Sequence, residues 1–404
     1  MPQSATANAT AKWDAGQTPR RISVLGATGS IGKSTIDLLK RSPQRFRVVS
    51  LVAGGDATAL AGLARDLKPE FVALRRDEGY AELRGALGGS NVAFGAGRSA
   101  VVEAAQRDAD LVVSAIVGAA GVEPTHAALA PGRIIALANK ECLVCAGGPF
   151  MRAAKKAGAT LLPIDSEHNA IFQALGGADP ATIERMTITA SGGPFRLWSK
   201  EAIAKATLEQ ALKHPNWAMG PKNTLDSATL MNKGLELIEA HHLFSVGADR
   251  LSVVVHPQSI VHGLVYFADG SVTAGLAMPD MRTPIAHCLS YPERMEAPTR
   301  RLDLAAIGAL TFEPPDCDRF PALRLALDAL AAGGALPTVL NAANEMAVEA
   351  FINRRIGFSD IARHVEAALE AAHKAGAERE PATIDEALAV DHNVREKSRA
   401  LLAA

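Results

Sequence analysis

Aromatic residues are scarce in this sequence: Phe, Trp and Tyr together make up 4% of 404 residues. So few rings leave little for the stacking platforms that hold single-stranded nucleic acids. An excess of either charge is also lacking. Lys plus Arg number 42 and Asp plus Glu 43, for a formal net charge of -1. That balance argues against a partner such as nucleic acid or an anionic membrane. The 4 cysteines are too few for a disulfide framework, so a reducing cytoplasm is expected. Long apolar runs are missing. The longest stretch without Asp, Glu, Lys or Arg, 251–268, is interrupted by His256, Pro257, Gln258, Ser259 and His262. A bilayer helix takes ~20 mostly apolar residues. Residues 1–20 are polar, without the apolar core of a secretory signal or the repeated arginines of a transit peptide. They are read as a disordered tail.

What is present is a chain able to build a core, with 48% apolar and 21% charged residues. At ~150 residues per domain its length suggests two or three domains. From Arg21, short β-rich runs alternate with helical stretches. The runs are 22–25, 48–52, 71–74, 111–116, 134–138 and 161–164. Alternation of this kind predicts a parallel, doubly wound sheet, which binds ligands beyond the carboxyl ends of its strands. A second, α+β region from 166 to 290 reads as an antiparallel sheet with strands at 186–190, 260–267 and 271–277. The last two are joined by an Asp269-Gly270 hairpin turn. A loop is expected over 214–225 and a helix over 232–242. Prolines then mark a linker over 291–316. Residues 317–404 read as a helical bundle, with a Thr383–Glu386 capping box opening its last helix.

Four groups of residues carry chemistry. The turn Gly26-Ala-Thr28-Gly29-Ser30-Ile31-Gly32 follows a strand and opens a helix, the setting in which backbone N–H groups receive a pyrophosphate. The second strand ends at Gly54-Gly55-Asp56. An acid there favours NAD and a base NADP, but Asp56 can equally cap a helix, so the residues alone lean to NAD or leave the choice undecided. Asp165-Ser166-Glu167, at a strand's carboxyl end, offers two carboxylates to a hard divalent cation, with Glu236 as a third. Asn232 and Glu236 share a helix face. Ser191-Gly192-Gly193, Ser227, Asn232 and Lys233 are suited to a phosphate, although each alone is more often a turn or a cap.

Other candidates are more ambiguous. Lys140, in Asn139-Lys140-Glu141, can polarise a substrate oxygen or lie on the surface. His214 and Trp217 suggest a lid, or a Trp anchoring a connection. His262 on a strand reads most simply as a core or interface histidine. Cys142 and Cys145 form a C-x-x-C with no second pair and no flanking histidine, and are read as accidental.

Together these blocks resemble the 1-deoxy-D-xylulose 5-phosphate reductoisomerase family of the methylerythritol phosphate route to isoprenoids. The similarity is carried by VLGATGSIGKSTIDLL, AIVGAAG, ALANKE, PIDSEHNAIFQAL, ITASGGPFR, HPNWAMGPKNTLDSATLMNKGLELIEA, VHPQSIVHG, PDMRTPIAH and LNAANEMAVEAF, in the family's order over most of the chain. The resemblance implies an NADPH-binding domain over 21–165, a catalytic and dimerisation domain over 166–290, and a cytoplasmic homodimer. It implies metal ligation by Asp165, Glu167 and Glu236, to Mg²⁺ or Mn²⁺ with Co²⁺ a third candidate. Ser166, Glu167, Glu236 and Lys140 then contact the substrate's oxygens, and Ser191, Ser227, Asn232, Lys233 and His214 bind substrate, the first four around its phosphate. Trp217 and Met219 form a flap, and His262 is a functional strand histidine. Thr28, Gly29, Ser30, Ile31, Gly54, Gly55, Asp56, Asn139, Lys140 and Glu141 fall at cofactor positions. The implied reaction converts a phosphorylated ketose, 1-deoxy-D-xylulose 5-phosphate, to 2-C-methyl-D-erythritol 4-phosphate by rearrangement and hydride transfer. No residue is assigned as general base.

Three departures stand out. Gly55-Asp56 replaces polar or basic residues and bears on the NADPH preference. Cys142 replaces a serine after Asn-Lys-Glu, and Lys222-Asn-Thr-Leu-Asp226 varies the return from the flap. Two other classes compete. A semialdehyde dehydrogenase-like acyl-transfer enzyme shares the Gly-Ala-Thr-Gly opening but needs a cysteine nucleophile paired with a histidine. A non-catalytic nucleotide sensor has no need of the three carboxylates.

Overall fold

The structure is a computed structural model describing residues 18–217, 219–377 and 379–403. Most of the expected N-terminal tail therefore lies outside the described residues. The chain divides into two compact units. One comprises the described residues up to Cys142 with Arg152–Asn169 and Asp280–Thr299. The other comprises Leu143–Met151, Ala170–Pro279 and the described residues from Arg300 onward.

The first unit is built on seven parallel strands. They are β1 (Arg20–Leu25), β2 (Phe46–Ala53), β3 (Phe71–Leu74), β4 (Ala93–Ala96), β5 (Leu111–Ser114), β6 (Ile134–Leu137) and β7 (Thr160–Pro163). Their order is β4-β3-β2-β1-β5-β6-β7. The chain winds outward from β1 to β4, then returns to β5 on the other side. The strand order therefore reverses between β1 and β5, and a crevice forms at such a switch point. β3, β5 and β6 are short, wholly buried runs made mostly of Val, Ile, Leu and Ala, as strands covered on both faces must be. β4 was not expected from the sequence. Ala-Phe-Gly-Ala is short and only partly buried, and its edge place is set by pairing with β3.

The segment Asp280–Thr299 belongs to the first compact unit. Arg20 accounts for this in part. Its guanidinium donates to the carbonyls of Leu289 and Tyr291, both at 2.8 Å.

The second unit holds β8 (Ile183–Ala190), β9 (Leu251–Val255), β10 (Val261–Phe267) and β11 (Val272–Leu276), ordered β11-β10-β8-β9. The expected antiparallel sheet is corrected to a mixed one. β10 is antiparallel to β8 and β11, but the unforeseen β9 runs parallel to β8. A parallel partner joined through a long crossover leaves no local turn signal. The expected hairpin at Asp269-Gly270 is present, with Gly270 at φ +85°. The expected loop over 214–225 ends early, because Pro221 occupies the first turn of a helix Pro221–Ala228. Helix Met231–Phe244 follows. Beyond the proline-rich stretch lie four helices, Pro321–Ala332, Leu336–Ile352, Phe358–Lys374 and Ile384–Ala403. Thr383 Oγ1 accepts the Glu386 N–H at 3.1 Å, which is half of the expected capping box. The Glu386 carboxylate reaches back to the Ala382 N–H instead.

Candidate functional site

In the first unit the glycine turn stands at the switch point. Gly26 has φ +97°, and a Cβ there would lie 2.5 Å from the Ala115 carbonyl after β5. A Cβ on Gly32 would lie 2.2 Å from the Gly26 carbonyl. Only glycine lets the turn fold back on the helix it opens. That helix, Ser30–Arg41, has no side-chain cap at Gly29 and no acid in its first turn. Its leading N–H groups and the positive end of its dipole are thus left for an anion, and Thr28 and Ile31 are half-buried beside exposed Gly29 and Ser30.

Asn139 follows β6 and is spent on positioning. Its amide nitrogen lies 2.6 Å from the Ile116 carbonyl, 3.0 Å from that of Gly118 and 2.8 Å from Glu141 Oε2. Its Oδ1 accepts the Cys142 N–H at 2.9 Å. One side chain thus pins the loop after β5 to the loop after β6. Asp56 likewise has a structural task, its Oδ1 accepting the Ala59 N–H at 2.9 Å to cap helix Ala57–Leu67.

After β7, Asp165 caps helix Ser166–Leu175. Its Oδ1 accepts the N–H groups of Glu167 at 3.1 Å and His168 at 3.3 Å. The other oxygen pairs with Lys140. A lysine from the β6 loop and a carboxylate from the β7 loop are thereby brought together at the carboxyl edge of the sheet, both mostly shielded from solvent. Ser166 Oγ donates to Glu167 Oε2 at 2.7 Å.

In the second unit the Ser191-Gly192-Gly193 turn meets Ser227. Gly193 has φ +66°, and a Cβ there would lie 2.7 Å from the Ser227 carbonyl, so the Ser191-Gly192-Gly193 turn rests directly on the end of helix Pro221–Ala228. Ser191 Oγ is 3.0 Å from His214 Nε2. His214 Nδ1 accepts two backbone N–H groups, of Asn216 at 3.1 Å and Trp217 at 2.9 Å. An imidazole nitrogen that accepts carries no proton, so the neutral ring bears its proton on Nε2, directed to Ser191. Asn216 anchors the same loop to Pro257 and Ser259 at 2.7 and 2.9 Å. Trp217 lies 6.2 Å, centroid to centroid, from the His262 ring on β10, and His262 Nε2 is 3.2 Å from the Ala277 carbonyl. Met219 is half-buried, and its neighbour Ala218 lies outside the described residues.

One turn into helix Met231–Phe244, Lys233 Nζ sits 2.8 Å from Glu236 Oε2, and Asn232 bonds the other carboxylate oxygen. Glu236 is 1% exposed. A carboxylate so enclosed needs cationic or donor partners to stay ionised. Sequence reasoning missed Asp226, equally buried, which pairs with Lys222 at 3.1 Å and accepts from Asn344 at 2.8 Å. Its i,i+4 spacing from Lys222 was the available signal. Cys142 and Cys145 are buried thiols outside any disulfide, so neither is the accessible nucleophile that the acyl-transfer alternative needs. Among the described residues no helix is long and apolar enough to cross a membrane.

Comparison with known proteins agrees along the chain. Residues 22–147 match the family model for 1-deoxy-D-xylulose 5-phosphate reductoisomerase, 161–244 its C-terminal domain model, and 276–397 the DXP reductoisomerase C-terminal domain model. A protein of that name from Afipia carboxidovorans is 58% identical over 386 residues, 96% of this chain and 95% of that protein. One from Bradyrhizobium diazoefficiens is 56% identical over 383 residues, 95% of this chain and 94% of that protein. Among solved structures, the reductoisomerase from Zymomonas mobilis in complex with NADPH has TM-score 0.89 at 46% identity, covering 95% of this chain and 99% of that one. A DOX-P reductoisomerase in complex with NADPH, fosmidomycin and magnesium has TM-score 0.91 at 42% identity, covering 95% and 98%.

Proposed function

The chain belongs to the 1-deoxy-D-xylulose 5-phosphate reductoisomerase family, and we propose that Asp165, Glu167 and Glu236 hold the divalent cation its reaction requires. The protein converts 1-deoxy-D-xylulose 5-phosphate to 2-C-methyl-D-erythritol 4-phosphate in an NADPH- and metal-dependent rearrangement and reduction within isoprenoid precursor biosynthesis. The observation that carries this is identity of 58% across 96% of the chain.

The donor set fits a hard cation such as Mg²⁺ or Mn²⁺, because all three residues offer carboxylate oxygen. The glycine turn fits a dinucleotide, because its crowding excludes side chains and leaves the helix N-terminus open. When bound, the cation supplies Lewis acidity to substrate oxygens and NADPH supplies hydride. The chain's own residues do the rest. Lys140, oriented by Asp165, places an ammonium beside the substrate's oxygens. Ser166 and Glu167 hold its backbone. Ser191, Ser227, Asn232 and Lys233 receive the phosphate, and His214 contributes the Nε2 proton that its loop fixes. Phosphate lies apart from the reacting carbons, so its binding energy can close the loop carrying Trp217 and Met219.

By this reading 21–165 binds NADPH, 166–290 is catalytic and dimerising, 291–316 links, and 317–404 packs as the bundle. A homodimer is supported by the exposed β11 edge, where Val272 and Leu276 face solvent. A cytoplasmic location is supported by four cysteines that form no disulfide. The test is NADPH oxidation with 1-deoxy-D-xylulose 5-phosphate, with and without Mg²⁺ or Mn²⁺. Turnover that needs the metal is expected, and a folded, metal-supplied sample without turnover overturns the reading.

A further inference from the structure

The loop after β2 raises a problem of cofactor choice. NADP carries a 2′-phosphate where NAD carries a hydroxyl, and the residues after the second strand discriminate between them. Here those residues are Gly54, Gly55 and Asp56, with no base among them. The neighbouring strand supplies one. A Cβ on Gly55 would lie 2.9 Å from Cδ of Arg76, 3.6 Å from its Cγ and 3.7 Å from its Cβ. The aliphatic stem of Arg76 therefore fills the space that a side chain at position 55 would enter.

The backbone holds this arrangement. The Arg75 N–H donates to the Ala53 carbonyl and the Arg76 N–H to that of Gly54, each at 2.9 Å, extending the β2–β3 ladder past the strand ends. Arg76 is exposed, and no described carboxylate is paired with it. Beside it Arg75 lines a recess of about 220 Å³ whose walls mix Val101, Val102, Ala120 and Pro124 with the paired charges of Arg98 and Glu123. Asp56 does not compete for a ribose hydroxyl as an NAD-type acid would, because one of its oxygens is committed to the helix cap.

We propose that Arg76 is the residue that recognises the 2′-phosphate of NADPH, taking from β3 the role that Gly55 leaves empty on β2. A guanidinium presents a planar fork of donors that matches phosphate oxygens two at a time. This rests on the NADPH reading above and adds to it the residue that sets cofactor preference.

The test is calorimetric titration of the full-length protein with NADPH, NADH, 2′-AMP and 5′-AMP. Arg76→Ala is compared with wild type, and thermal unfolding verifies that the variant is folded. The expected result is a loss of NADPH and 2′-AMP affinity of about 10- to 100-fold, the range for a charged hydrogen bond, with NADH and 5′-AMP changed by less than about twofold. Arg76→Lys restores part of the NADPH affinity. Unchanged NADPH affinity in Arg76→Ala, or an equal loss for NADPH and NADH, overturns the proposal. Wild type binding neither dinucleotide overturns the NADPH reading, and this assignment falls with it.

Discussion

Lys233 Nζ and Glu236 Oε2 lie 2.8 Å apart, with side chains 9% and 1% exposed. Each offsets the other's charge in a place that water barely reaches. Removing one partner of such a pair costs about 3–5 kcal/mol, because the remaining charge is stranded. Lys233→Ala is therefore expected to lower unfolding free energy by about that amount in metal-free protein. Added Mg²⁺ restores part of it, since a cation at Glu236 replaces the lost ammonium. Urea denaturation with and without Mg²⁺ measures both. The same variant weakens substrate binding, which appears in KM, and a phosphate-bearing ligand with undiminished affinity counts against the cradle.

The two backbone N–H groups on His214 Nδ1 fix which nitrogen carries the proton. His214→Asn removes the Nε2 donor and the loop's anchor together. The expected outcome is a rise in KM of about tenfold or more, the loss of roughly one hydrogen bond to a charged group. NADPH affinity is unchanged. Steady-state kinetics and cofactor titration separate the two effects, and an unaltered KM contradicts the role.

Gly32→Ala places a methyl 2.2 Å from the Gly26 carbonyl, backbone that cannot rotate away. The turn must open. NADPH binding is expected to fall at least tenfold while the second unit's Ser191–His214 contact is untouched, so a phosphate ligand's affinity is retained. Retained NADPH affinity contradicts the turn's assignment.

His242 supplies a pH dependence. Burial, with a smaller contribution from neighbouring His241, pushes its imidazole down from 6.5 to about 4. Between those values the unfolded chain holds a proton that the folded chain refuses. Stability is thus fully present above pH 6.5 and is lost as pH falls toward 4, by at most about 3 kcal/mol. Denaturation midpoints across this window should drop with pH, and His242→Gln should flatten the slope. An unchanged slope contradicts the assignment to His242.

Legibility followed locality. The glycine turn, Asp165-Ser166-Glu167 and Asn232–Glu236 are contiguous motifs whose spacing states their geometry. β9 was hidden in the uncharged stretch 251–268, because its parallel pairing with β8 is a property of the sheet and not of its own five residues. β4 was hidden because Ala-Phe-Gly-Ala at an edge carries no periodic signal. Asp56 suits a ribose or a helix cap by sequence alone, and the Ala59 N–H it accepts in the fold decides for the cap. Arg76 was invisible for the opposite reason. Its neighbour in sequence is Asp77, but its neighbour in space is Gly55, and the order β3-β2 alone creates that meeting.

One cation held by Asp165, Glu167 and Glu236 is central to the proposed chemistry. The direct measurement is Mn²⁺ titration followed by electron paramagnetic resonance, on wild type and Glu236→Gln, with NADPH binding measured on both. The account predicts one Mn²⁺ per chain in wild type, and loss of that site and of turnover in the variant with NADPH affinity intact. A variant that binds Mn²⁺ with wild-type stoichiometry and affinity contradicts it.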